Sequence, residues 1–182
     1  CIGYMLQKDH LFEWRSIRRN VLLGPEINHI LSSEHQTLAD RLLKDYGLDK
    51  FQYKRPCELS GGMKQRAALI RTMLMHPKLL LLDEPFSALD YQTRLMVSAD
   101  IGRIIKSSKI TAILITHDLS EAISLADRII VLSKRPARIK KDLPIHLTLK
   151  DQTPLAARNA PEFSSYFSIL WKEIADEYQK TN

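Results

Sequence analysis

Two short strings constrain this chain more than anything else in it. Leu59 to Arg66 reads LSGGMKQR, and further on the apolar run Leu79 to Leu82 ends in Asp83-Glu84-Pro85. Ser60, Gly61 and Gly62 precede a helix-favouring run from Met63 to Met75. The serine can therefore cap a helix while the glycines leave its first N–H groups open. A helix N-terminus so exposed is an anion site, and phosphate is its natural guest. The leucine run lacks polar alternation and is bounded by Pro77 and Pro85, which predicts a parallel strand buried on both faces. Its two carboxylates would emerge at the C-terminal edge, where open α/β sheets bind ligands. An aspartate there can hold Mg²⁺, and the next carboxylate can orient and polarise a water. Taken alone, LSGG is also an ordinary turn and Asp83-Glu84 a solvated acidic loop. Their succession, with the further matches below, favours the phosphate-site reading over those two.

Together the strings resemble the ATPase subunits of ABC transporters. LSGGM, Leu59 to Met63, matches the signature motif, and LLLLDEP matches the Walker B strand with its glutamate. Ser87-Ala88-Leu89-Asp90 matches the D-loop, Ile115-Thr116-His117-Asp118 the switch histidine, and Gln7 the Q-loop, all in the family's order. Lys8-Asp9-His10-Leu11-Phe12-Glu13-Trp14, Phe86, and Lys134-Arg135-Pro136-Ala137-Arg138-Ile139 are similar to the nitrate/sulfonate/taurine group of bacterial importers. The resemblance covers residues 1 to about 143 and implies a P-loop NTPase-like (RecA-like) α/β core, a parallel sheet with an inserted helical subdomain. No G-x-x-x-x-G-K-[ST] occurs, and none of the six glycines precedes a lysine. The expectation is an N-terminally truncated fragment without the β-subdomain and the P-loop strand, inactive alone.

The resemblance also assigns roles. Asp83 and Gln7 would serve Mg²⁺, Glu84 would be the general base, and His117 would hold the γ-phosphate. Leu59, Ser60, Gly61, Gly62 and Met63 would clamp ATP bound by a second ATPase subunit in a head-to-tail homodimer. Ser87, Ala88, Leu89 and Asp90 would link the two sites, and Gln7 would couple nucleotide to the membrane domain. The implied partners are transmembrane permease subunits and, indirectly, an extracytoplasmic solute-binding protein; the implied place is the cytoplasmic face of the plasma membrane. An ABC-type ATPase of DNA repair or translation, or a non-hydrolysing partner subunit, are the alternatives. Long heptad segments or a second cassette would favour the first, and neither is present.

The regions expected are 1–13, core strand and Q-loop; 14–59, helical signature subdomain; 60–143, RecA-like core; and 144–182, linker and amphipathic helix. Ser33 and Gln36 form a capping-box pattern before Leu38, Leu42, Leu43 and Tyr46 at helical spacing, closed by Gly47. Trp14 reads either as a permease contact or as a core residue, and Arg15, Arg18 and Arg19 as partner contacts or solvated cations. Strand and helix then alternate: Tyr91 to Lys106 helix, Thr111 to Thr116 strand, Leu119 to Ala126 helix, Ile129 to Leu132 strand. That implies parallel pairing with right-handed crossovers. Thr148 to Arg158 reads as a linker. Asn159 and Glu162 would cap a helix carrying Phe163, Tyr166, Phe167, Leu170, Trp171, Ile174 and Tyr178, a stripe expected to dock on its own core.

Composition adds boundaries. The 45% hydrophobic content supports one sizeable core, and no apolar run reaches the roughly 18 residues that span a bilayer. Cys1 and Cys57 form no metal spacing or disulfide framework, and Cys57 is expected to be packed. Net charge is +6. Lys134, Arg135, Arg138, Lys140 and Lys141 read as a solvated strand-loop-strand whose cations protect an edge, without the interleaved aromatics of a nucleic-acid surface.

Overall fold

The computed structural model describes residues 2–149 and 153–179, which fall into two compact units, Cys1–Ile115 and Thr116–Asn182. The first is built on three parallel strands in the order β1 (Ile2–Met5), β2 (Leu79–Asp83), β3 (Thr111–Ile115). Ile2 lies opposite Leu79, and Asp83 opposite Ile115. Period-two alternation turns Gly3, Met5, Leu80 and Leu82 inward and Ile2, Tyr4, Ile113 and Ile115 to solvent. Leu79 and Leu81 are half-buried. The leucine run expected to be buried on both faces is therefore fully buried on one. A run of identical apolar residues carries no alternation from which to read which face is covered.

Between β1 and β2 the chain forms α1 (Ile17–Val21), α2 (Leu23–Ile27), α3 (Ser33–Asp45), single 3-10 turns at Asp49–Phe51 and Pro56–Glu58, and α4 (Gly61–Met73). Ile17, Val21, Leu43, Leu48, Ala67, Ile70 and Leu74 close their core, each large side chain contributing about 1.5–3 kcal/mol by burial. The α3 cap is Ser32, one residue before the expected Ser33; its Oγ accepts from His35 N–H. Arg15 and Arg18 are engaged at home, with Glu26 and with both oxygens of Asp40, whereas Arg19 is exposed. Cys57 is exposed rather than packed, because the 3-10 turn buries Pro56 in its place. His76, at φ 46°, and Pro77 stop the chain from continuing α4. After β2, α5 (Tyr91–Ser108) packs on α4 and ends at Lys109 in the left-handed region.

The second unit contains α6 (Leu119–Leu125), β4 (Arg128–Leu132), β5 (Ile139–Pro144), α7 (Pro154–Arg158) and α8 (Phe163–Gln179). β4 does not extend a parallel sheet as its alternation with helices implied. It pairs antiparallel with β5, Ile129 opposite Leu143, because the short connection returns the chain directly beside it. The basic cluster is thus a hairpin, and Lys140 and Lys141 face Glu173 of α8. Pro154–Arg158 is helical, inside the stretch read as a linker, with Thr153 as its cap. Glu162 accepts from the Thr148 N–H and hydroxyl instead of capping α8. Phe163, Tyr166, Leu170 and Ile174 dock on Ile123, Val131 and Ile145, while Phe167 and Trp171 stack outward with centroids 6.4 Å apart. Tyr178 lies outside the described side chains, as does Cys1. No described helix is long and apolar enough to cross a membrane.

Candidate functional site

The C-terminal end of β2 delivers two carboxylates into different settings. Asp83 ends the strand, and its Oδ2 accepts from the Tyr4 hydroxyl at 3.0 Å. That bond, with a smaller part from desolvation, raises the Tyr4 hydroxyl above its ordinary value. Glu84 turns out of the strand at φ 44°, a left-handed conformation that costs a non-glycine residue about 1–3 kcal/mol. Its N–H still reaches Ile115 O at 2.9 Å. Its carbonyl accepts from the Ser87 hydroxyl at 3.0 Å, and the turn seals with Phe86 fully buried. The strain is thus held by bonds on both sides of the residue.

Gln7 follows β1 and joins this turn from the neighbouring strand. Its Nε2 donates to Glu84 Oε2 at 3.3 Å and to Ser87 Oγ at 3.0 Å. Three predicted residues from strings about 80 positions apart thereby share one amide. Asp83 is held separately, by Tyr4.

At α4, Ser60 caps as expected, its Oγ accepting from Met63 N–H at 3.4 Å. Ser60 and Gly61 are exposed, and no acidic residue occupies the first turn. Leu59 and Met63 pack into the helical core, so they seat the segment while Ser60 and Gly61 face outward. The glycines also serve packing. A Cβ on Gly61 would lie 2.9 Å from Leu89 Cδ2, and one on Gly62 would lie 2.5 Å from Val97 Cγ2. Leu89, buried, seats the D-loop match on α4, while Ala88 is exposed. Asp90 caps α5, its Oδ1 accepting from Thr93 N–H at 3.0 Å. Hydrogen bonds from Thr93, side chain first and then backbone, hold its carboxyl below the ordinary value.

Trp14 is 73% exposed, which rules out the core alternative; it leans on Phe12 with ring centroids 4.7 Å apart. Its loop is fixed by a residue that sequence reading passed over. Asn20, fully buried, accepts from Phe12 N–H and donates to the carbonyls of Phe12, Arg15 and Ser16. A polar residue inside an apolar helical stripe was the available signal. His117 is exposed in the second unit, between Thr116 and Asp118. There Asp118 caps α6 and Thr116 donates to Glu121.

No described cluster of three or more His, Cys, Asp or Glu side chains could cage a metal. The oxygens of Asp83 and Gln7 do suit Mg²⁺, which usually takes one or two protein ligands and completes its shell with phosphate and water. An exposed α4 N-terminus without first-turn acids suits a phosphate group.

A model of the ABC transporter family matches residues 1–87. An uncharacterized ABC transporter ATP-binding protein, YtlC of Bacillus subtilis, is 48% identical over 95% of this chain and 66% of its own length. The chain belongs to the ABC transporter ATP-binding family. Within the family it is similar to the nitrate import ATP-binding protein NrtD of Synechocystis, 39% identical over 90% of the chain and 63% of the relative. It is also 39% identical to the taurine import ATP-binding protein TauB of Roseobacter denitrificans, over 93% of the chain and 65% of the relative. The chain therefore spans just under two-thirds of these relatives' lengths. Among solved structures it resembles a dimeric, post-hydrolysis ATP-binding cassette, MJ0796, bound to ADP and Pi. The TM-score is 0.64 at 27% identity, covering 80% of this chain and 63% of the other. The parallel-sheet ABC fold agrees with the expectation from sequence.

Proposed function

We propose that this chain is part of the motor of an importer, coupling ATP hydrolysis to uptake of a small solute of the nitrate, sulfonate and taurine kind. The observation that supports it most is the Gln7 amide, which joins the Q-loop match to Glu84 and Ser87. A glutamine that touches both the base and the D-loop approach is placed to report nucleotide to both.

Asp83, with Gln7, would hold Mg²⁺, which when bound would supply charge neutralisation at the phosphate oxygens. Tyr4 fixes the Asp83 carboxylate through Oδ2. Glu84 takes the proton from the attacking water, its carboxylate oriented by Gln7. His117 takes the γ-phosphate by its motif. Ser60, Gly61 and Gly62 clamp ATP held by a second ATPase subunit, seated by Leu59 and Met63, and Ser87 to Asp90 relay between the two sites. Trp14, with the helical region 14–59, meets the permease at the cytoplasmic face of the membrane, and a solute-binding protein acts through that permease. These 182 residues contain no P-loop, so on their own they neither hold ATP tightly nor hydrolyse it. They complete a site in trans.

The test is a mixed dimer of this chain with an intact family cassette whose own signature serine is mutated. ATPase activity should return, and Ser60→Ala in this chain should remove it. A demonstrated mixed dimer without activity would overturn the signature assignment.

A further inference from the structure

α4 grips the backbone that follows β1 at two places. Arg71 Nη1 donates to His10 O and Nη2 to Asp9 O, both at 2.7 Å. The guanidinium is substantially desolvated, which lowers its pKa from the ordinary value. His10, at φ 46°, turns its carbonyl in the left-handed region. One helical segment earlier, Gln65 is 3% exposed and donates Nε2 to Gln7 O at 3.4 Å. Among the described residues its Oε1 is buried without a hydrogen-bond partner.

These bonds close a circuit. The side chain of Gln7 holds Glu84 and Ser87, and Leu89, two residues on, packs against Gly61 at the start of α4. A forked guanidinium fixes both the position and the orientation of the two carbonyls it binds. A hydrogen-bonded helix is stiff compared with a loop, so displacement at its first turn must appear where Gln65 and Arg71 hold the loop. The uncommitted Oε1 is what a joint with two settings needs and a rigid core does not, since buried acceptors are otherwise paired.

We propose that Gln65 and Arg71 are positioning residues that make α4 and the segment Gln7–His10 move as one part. An anion seated at Ser60–Gly62 thereby shifts the Gln7 amide and the Glu84 carboxylate within the same chain. The proposal rests on the signature assignment above and adds to it the route by which a nucleotide held by the partner subunit reaches this chain's base.

The experiment is amide hydrogen exchange on the mixed dimer, with and without a non-hydrolysable ATP analogue, following peptides over residues 61–66 and 6–11. In the parent chain the analogue should slow exchange in both by about fivefold or more, the lower end of coupling between linked sites. In Gln65→Leu and Arg71→Lys the α4 peptide should stay protected while protection of 6–11 falls below about twofold, less than that range. Gln65→Leu also removes the orphaned acceptor, so its melting temperature should not fall. Undiminished protection of 6–11 in both variants overturns the proposal. So does a parent in which α4 is protected and 6–11 is not, which leaves the signature assignment standing. If neither peptide responds in a demonstrated dimer, both fail. A lowered melting temperature with faster exchange throughout the sheet would mark the two residues as scaffold only, and would also overturn the proposal.

Discussion

Gly62→Ala sets two effects of opposite sign against each other. Alanine is the better helix former, by about 0.8–1 kcal/mol in a helix interior and less near its start. The new methyl, however, would sit 2.5 Å from Val97 Cγ2 and 3.1 Å from Thr93 Cγ2. Carbon pairs prefer about 3.5–4.0 Å. Val97 is only 4% exposed and, being β-branched on a helix, keeps one rotamer. Relief therefore requires α4 and α5 to separate, and overpacking of this kind costs about 1–3 kcal/mol. The net is a loss of about 1–2 kcal/mol, or about 2–4 °C of melting temperature per kcal/mol in a chain of this size. Gly61→Ala meets the Cδ2 of Leu89 at 2.9 Å, the movable end of a side chain in a loop, and should cost less. Urea titration of the three proteins by circular dichroism measures the ranking, with equal slopes showing that the native state has not loosened. Val97→Ala vacates the contested space, so the double mutant should be more stable than the sum of the singles by about 0.5–3 kcal/mol. A Gly62→Ala protein as stable as the parent, or a double mutant that is simply additive, would refute the packing account.

In a P-loop-bearing cassette containing these residues, Glu84→Gln should bind ATP and lose about 10²–10⁴-fold in turnover; near-parental activity would exclude Glu84 as the base. Trp14→Ala should leave stability within about 0.5 kcal/mol, as its exposure requires, while lowering permease-stimulated ATPase activity; calorimetry and reconstituted assays measure the two separately. Glu58, Asp90, Asp142 and Glu162 are held below their ordinary values, chiefly by hydrogen bonds from Arg55, Thr93, Arg128 and Thr148 respectively. A depressed carboxylate adds stability that is present above its unfolded value, about 4, and is lost as pH falls through its folded one. Melting temperature should therefore fall on acidification from about pH 5 to pH 3, and a rise would contradict the sign.

The legible features were those written in a few consecutive residues. Ser60 capping α4, the acids ending β2 and the helix beginning at Tyr91 each depend on neighbours one to four positions away. Strand partners are different, because nothing in Arg128–Leu132 distinguishes a strand joining a parallel sheet from one folding back on Ile139–Pro144. Alternation with helices is common to both arrangements and so does not by itself fix parallel pairing for β4. Exposure was equally illegible for Trp14 and Cys57, where one residue of phase decides between core and solvent.

The contact between Tyr4 and Asp83 lies between these cases. Register places Tyr4 opposite Leu81, and alternation puts Asp83 two residues on, on the same face. A tyrosine is long enough to cross that diagonal, so the bond follows once β1 is known to neighbour β2. Adjacency is not written in either strand, because the long connection carrying α1 to α4 separates β1 from β2 in the chain. The glycines of LSGG carry the same lesson from the other side. Anion access and close packing on α5 both demand the absence of a side chain at adjacent positions, so the string alone cannot divide the two demands. The structure divides them by place. Gly61 is exposed beside Ser60, and Gly62 is buried against Val97. A substitution at Gly61 therefore tests chiefly the site, and one at Gly62 chiefly the scaffold that holds it.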